Sequence, residues 1–201
     1  MNVTVAKSAG FCFGVKRAID TVYQEIEKGE KVFTLGPIIH NEQVVQELEE
    51  KGVQVINSIE ELADIKDGTV VIRSHGVSEQ VIRQLEKYDI KIVDATCPFV
   101  SKIHRIVQEK YREGFQIVII GNRTHPEVEG INGWCENSAI VLETVSEAES
   151  FRPDPQNVAQ ADIVVHILFP AERKHHIQRF EVPVNVAENC IFHESVSNGS
   201  L

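Results

Sequence analysis

Basic charge is scarce in this chain. It carries 20 Lys and Arg against 30 Asp and Glu, a net charge of -10. Nucleic acid is therefore not expected as a partner, because phosphate backbones are held mainly by lysine and arginine. An acidic surface still permits a local, histidine-lined pocket for an anion. Long apolar runs are also missing. No stretch approaches the roughly 18 apolar residues of a membrane span, so no membrane partner is expected. The opening Met1-Asn2-Val3-Thr4 has no basic segment followed by an apolar one, so no export signal is expected and the cytoplasm is the expected compartment. Neither G-x-x-x-x-G-K-[ST] nor a G-x-G-x-x-G after a strand occurs, which leaves nucleotide binding without a motif.

Cysteine is sparse, and none is closely paired. The four are Cys12, Cys97, Cys135 and Cys190. Without an export signal a disulfide framework is not expected, and reduced thiols direct attention to metal binding, catalysis or packing. The absence of C-x-x-C disfavours a zinc ribbon or a thioredoxin-like site. Widely spaced cysteines can still meet in space.

What is present is a regular alternation. Of 201 residues, 42% are hydrophobic and 25% charged, ordinary for a globular protein of one large or two small domains. Short β-branched runs recur at Val3 to Ala6, Val32 to Leu35, Val53 to Ile56, Thr69 to Ile72, Lys91 to Val93 and Ile117 to Ile120. Helical patterns lie between them. Val15, Ala18, Ile19, Val22, Tyr23 and Ile26 form one apolar stripe, with Gly29 placed to end the helix. Val100, Ile103, Val107 and Tyr111 form another, ending near Gly114. Strand and helix in alternation predict an α/β fold with parallel sheets, whose ligands bind beyond the carboxyl ends of the strands.

A weak internal echo relates Cys12-Phe-Gly-Val-Lys16 to Cys97-Pro-Phe-Val-Ser-Lys102. It predicts two α/β units: a first over 1–97, the start of a second over 98–150, and a divergent tail over 151–201. In that tail the periodicity fades, Ala161 to Phe169 reads as a strand, and Arg173 to Arg179 is basic and histidine-containing.

The residues that carry chemistry cluster at predicted element ends. Cys12 and Cys97 each open a helix, where free backbone N–H groups favour the thiolate that ligates metal or attacks an electrophile. Thr96 is a candidate cap for the second helix, and Pro98 suits its first turn. Two buried cysteines acting as small hydrophobes is the plainer alternative. His40, His75 and His125 each follow a strand, a shared placement that points to an anion pocket rather than three separate structural hydrogen bonds. Glu127, two residues after His125, is either a proton donor or a loop carboxylate at the surface. His104, His166, His175, His176 and His193 lack this context, and Cys135 reads as packing.

GFCFGVKRA, GPIIHN, IRSHGV, DATCP and GNRTHPEVEG occur in this order over about residues 1 to 145. In order and spacing they resemble the LytB family, the 4-hydroxy-3-methylbut-2-enyl diphosphate reductases of the methylerythritol phosphate route to isoprenoids. The resemblance implies three α/β units around a cavity, each giving one cysteine to a [4Fe–4S] cluster with one iron left open to the substrate hydroxyl. Cys12 and Cys97 match two of those ligands. His40 and His75 match diphosphate-binding histidines, His125 matches a histidine near the substrate, and Glu127 matches the acid that helps deliver protons. The implied reaction is a two-electron reductive dehydroxylation of an allylic diphosphate, with ferredoxin or flavodoxin as electron donor.

The chain also departs from the family. Val158-Ala159-Gln160-Ala161-Asp162 stands where Gln-Thr-Thr is expected, and Asn189-Cys190 lacks the surroundings of the third cysteine. Ser197-Asn198 lies too close to Cys190 to be the Ser-x-Asn of the diphosphate site. The expectation is a truncated or frameshifted chain with the third unit missing, which binds its cluster poorly. Recovery of the missing motifs in another reading frame beyond codon 150 is the check. The alternative is a non-catalytic diphosphate-binding fragment or an inactive product.

Overall fold

The computed structural model describes residues 3–5, 9–65 and 67–152, together with a strand at 165–167. They form two compact units, the first running to Ser101 and the second beginning at Lys102.

The first unit contains α1 (Phe13–Glu27), β1 (Val32–Leu35), α2 (Glu42–Glu50), β2 (Gln54–Ile56), a 3-10 turn (Glu60–Asp64), β3 (Thr69–Ile72), α3 (Glu79–Leu85), β4 (Lys91–Asp94) and the first turn of α4 (Pro98–Arg112). Its four strands are parallel in the order β2-β1-β3-β4. Every residue of β1 and β3 is buried, as expected of central strands covered on both faces. Alternation divides the core. Val32 and Val71 pack with Ala18, Ile19 and Val22 of α1 and Leu48 of α2. Phe33, Leu35, Val70 and Ile72 pack on the other face with Leu62 and with Leu85 of α3. Each such fully buried side chain contributes about 1.5–3 kcal/mol.

The apolar stripe of α1 is therefore its core face, and Gly29 follows the helix with φ 77°, its N–H bonded to the Ile26 carbonyl at 2.9 Å. The first β-branched run is a correction. Of the run Val3 to Ala6, residues 3–5 are not in a strand and Val3 and Val5 are exposed, whereas Ala6 lies outside the described residues. β-branched composition favours extended backbone, but with no neighbouring strand among the described residues to bond it, it forms no sheet there.

The second unit holds the rest of α4, β5 (Val118–Ile120), α5 (Pro126–Gly133), β6 (Ile140–Leu142), α6 (Val145–Ser150) and β7 (Val165–Ile167). Its three strands are parallel in the order β6-β5-β7. Ile103 and Val107 of α4 pack with Ile117, Ile119, Val128 and Ile131. β6 was not among the β-branched runs singled out in the sequence. β7 falls inside the predicted Ala161 to Phe169 strand, whose other residues, with Arg173 to Arg179, lie outside the described residues. Among the described residues no helix is long and apolar enough to cross a membrane.

One buried charge ties α1 to the start of β4 in the first unit. Glu25 of α1 is 4% exposed, and its two carboxylate oxygens accept from Lys28 and Lys91, each at 2.6 Å. Lys91 also reaches Glu30 at 3.2 Å, and Glu30 accepts from the Thr69 hydroxyl. The Lys28 bond, then the Lys91 bond, hold the Glu25 carboxyl below its ordinary value of 4.5. A depressed folded-state pKa contributes stability above the ordinary value, and that contribution is lost as pH falls through the folded value. Glu25→Gln should therefore cost about 1–3 kcal/mol at neutral pH and flatten the acid limb of the stability curve. Urea melts across pH 3 to 7 check this, and an acid limb equal to that of the unsubstituted protein would refute it.

Candidate functional site

Strand order places the chemistry. In the first sheet the chain leaves β1 toward β2 on one side and leaves β3 toward β4 on the other. The loops that follow β1 and β3 diverge, and the crevice at such a switch point is where open α/β sheets bind ligands. His40 comes from the first loop and His75 from the second. Their rings lie 4.4 Å apart between centroids, tilted by 49°. His40 stands just before Asn41, which caps α2 by accepting from Val44 N–H at 3.0 Å. His75 sits in a tight turn closed by Gly76 N–H to the Arg73 carbonyl at 2.9 Å. Ser78 then caps α3. The Arg73 side chain packs against Gly36, where a Cβ would lie 2.7 Å from Nη1. A guanidinium thus stands near both histidine loops, a favourable setting for an anion.

The two cysteines flank helix starts. Cys12 is the N-cap of α1, exposed, and its thiol makes no capping bond. Cys97 is half-buried, and its carbonyl accepts from Ser101 N–H at 2.9 Å, so it is the N-cap of α4. That corrects the sequence expectation for Thr96. Thr96 lies one residue outside the helix, its own N–H held by the Asp94 carboxylate at 2.8 Å. Pro98 takes the first helical position, as expected.

These two helices differ from the rest. α2, α3, α5 and α6 each carry an acid in the first turn and a side-chain cap, whereas α1 and α4 carry no acid there. Their positive ends thus face no carboxylate from the helix's own first turn. Phe11, Phe13 and Phe99 beside them are exposed.

The thiol and histidine loops are stitched together by backbone. Cys97 N–H donates to the Ser74 carbonyl at 2.9 Å, and Ser74 N–H donates to the Ile38 carbonyl at 3.2 Å. Ala95 N–H donates to the Ile72 carbonyl at 3.1 Å. One chain of bonds thus runs from the GPIIHN loop through the RSHG turn to the DATCP loop. Arg17 and Gly14 also lie inside the GFCFGVKRA motif, but nothing local marks their long-range partners.

In the second unit the switch falls between β5 and β7. His125 caps α5 there, its Nδ1 accepting from Glu127 N–H at 3.2 Å. A neutral imidazole that accepts on Nδ1 carries its proton on Nε2, which makes it a donor toward an anion. Glu127 is half-buried in the first turn of the same helix. His104 is buried and stacked on Trp134, with ring centroids 5.3 Å apart. Cys135 is fully buried, and that burial pushes its thiol up, as suits a packing residue. Cys190, Gln160, His175, His176, His193, Asn189, Ser197 and Asn198 lie outside the described residues.

Comparison with known proteins agrees with the motif order. A family model described as LytB protein matches residues 3–169. A 4-hydroxy-3-methylbut-2-enyl diphosphate reductase of Clostridioides difficile is 48% identical over 155 residues, which are 77% of this chain and 55% of the relative. The reductase of Caldanaerobacter subterraneus is 42% identical over 204 residues, covering the whole chain and 68% of the relative. Among solved structures, the E-1-hydroxy-2-methyl-but-2-enyl-4-diphosphate reductase of Plasmodium falciparum superposes with a TM-score of 0.70 at 31% identity, over 79% of this chain and 48% of that one. A second solved reductase, described as the terminal enzyme of the non-mevalonate pathway, gives a TM-score of 0.64 at 37% identity. The chain spans little more than half the length of several of the curated relatives it matches.

Proposed function

The chain belongs to the LytB family, and from that membership we propose that it serves the reductive dehydroxylation of 4-hydroxy-3-methylbut-2-enyl diphosphate to isopentenyl and dimethylallyl diphosphates. The allylic C–O bond breaks and the oxygen leaves as water. Two electrons from a ferredoxin or flavodoxin and two protons complete the balance.

The observation that carries the proposal is the bonded run of loops in the first unit. It brings the His40–His75 pair, the Ser74 turn and the Cys97 loop to the carboxyl end of one sheet. In this reading His40 and His75 bind the diphosphate, with charge-assisted hydrogen bonds to its oxygens. His125 donates from Nε2 toward the substrate, and Glu127 holds the proton delivered to the departing oxygen.

The donor set suits an iron–sulfur cluster. Cys12 and Cys97 are free thiols at helix ends that carry no competing acid, and Gly14 lets the Cys97 sulfur approach the start of α1. Cys12 and Cys97 would hold a [4Fe–4S] cluster, which when bound supplies one-electron transfer and Lewis acidity. The apolar Phe11, Phe13 and Phe99 would limit solvent around it.

The test is anaerobic reconstitution with iron and sulfide, followed by turnover with a chemical reductant. Substoichiometric loading is expected, because the described residues offer two matched thiolates, together with substrate consumption in proportion to bound iron. Consumption that does not track iron, or no iron uptake at all, would overturn the reductase reading. A second reading, a non-catalytic diphosphate-binding module, is favoured by one observation: both rings of the histidine pair come from loops of a single unit. Undiminished diphosphate binding by a chain that takes up no iron would select it.

A further inference from the structure

The segments that carry Cys12 and Cys97 are 85 residues apart in sequence, and two residues of α1 join them. Arg17 lies one turn into α1. Its Nη1 donates to the Thr96 carbonyl at 2.9 Å and its Nη2 approaches the Asp94 carbonyl at 3.4 Å. Both carbonyls belong to the loop that delivers Cys97. On the same helix, Gly14 is buried against Cys97 itself. A Cβ built there would stand 2.4 Å from the Cys97 sulfur and 3.0 Å from the Cys97 Cβ. Rotating the thiol away relieves the first contact but not the second, so any larger residue must also shift the loop.

We propose that Arg17 and Gly14 are positioning residues that set where the Cys97 thiol stands relative to Cys12. Arg17 fixes the loop through two carbonyls at once, a task suited to the fork of a guanidinium and not to the point charge of a lysine. Gly14 supplies the seat into which the sulfur fits. The remaining bonds of the loop support the assignment. Thr96 N–H is held by Asp94, and Cys97 N–H by Ser74, so the loop is anchored on the sheet side and Arg17 anchors it on the helix side. This inference rests on the proposed role of the two thiols as cluster ligands.

The test uses the full chain free of metal, so its outcome does not depend on whether a cluster loads. Alkylation of each cysteine is followed by mass spectrometry of its own peptide, and amide exchange is followed in parallel. In Arg17→Gln the Cys97 rate should rise severalfold and the amides of Cys97 and Ser101 should exchange faster. The amides of β1 and β3 should stay protected, and the buried Cys135 should keep its rate. Arg17→Lys should recover only part of the effect. Gly14→Ala, which a helix favours by propensity, should raise the Cys97 rate with the Arg17 residue still in place.

An unchanged Cys97 rate in both Arg17→Gln and Gly14→Ala, with the sheet intact, would overturn the proposal. Loss of β1 and β3 protection together with the Cys97 change would also overturn it, because Arg17 would then be a general support of the unit. Reconstitution of the same variants separates the two readings. Slower iron uptake in proportion to the Cys97 rate supports both, whereas a raised Cys97 rate in a protein that never takes up iron keeps the positioning and removes the cluster.

Discussion

Serine at both Cys12 and Cys97 should abolish iron uptake while leaving the protein folded. After anaerobic reconstitution the double variant is expected to show no sulfur-to-iron charge-transfer absorbance and no turnover, because a hydroxyl, protonated at neutral pH, is a far weaker ligand for iron than a thiolate. The folded state should survive for a local reason. Both residues are N-caps, and serine is a strong N-cap, able to accept from the free N–H groups of the first turn. The thermal midpoint should therefore hold or rise slightly, and binding of the diphosphate substrate should persist. Each single variant should lose most of the absorbance. Bound iron and sulfide in the double variant at the level of the unsubstituted protein would refute the assignment of these thiols.

Alanine at His40 or His75 should weaken substrate binding through the diphosphate alone. A hydrogen bond to a charged group contributes about 1.5–3 kcal/mol, so each change should raise the dissociation constant roughly tenfold to a hundredfold. The two rings are 4.4 Å apart, so the losses should couple and fall short of additive. His40 is exposed, and its removal should cost little stability. Calorimetric titration of the metal-free protein with the substrate, and with the parent alcohol lacking diphosphate, checks the prediction. An equal loss for the alcohol would sink the anion role, since the effect would then be one of pocket shape.

Much of the site was legible locally. The stripe from Val15 to Ile26 marks α1, and the strand-end positions of His75 and His125 follow directly from Val70-Val71-Ile72 and Ile117 to Ile120. The cysteines at helix starts could be read because a helix N-terminus is a local event, decided by a few residues on either side. Local signals also misled. Val3 and Val5 have strand composition, but they are exposed and unpaired with any strand among the described residues. Thr96 is chemically the better cap, but the helix begins after Cys97, because Thr96 N–H is committed to Asp94 and its carbonyl to Arg17. A long-range bond there outweighs a preference worth about 1 kcal/mol.

By itself the sequence determined the alternation of strand and helix, the family motifs and their order, and the placement of His75, His125, Cys12 and Cys97 at the ends of elements. These depend on side-chain periodicity and on turn chemistry, which are written within a few residues. Only the tertiary structure decided that β1 lies beside β3 rather than at an edge, which is what sets His40 against His75. It alone decided that Gly14 receives the Cys97 sulfur and that Arg17 reaches Thr96 and Asp94. The reason is that strands in a parallel sheet pair through backbone N–H and C=O groups common to every residue, across crossovers that leave no local mark on neighbour choice. Close approach of one backbone to another is likewise invisible until both are in place.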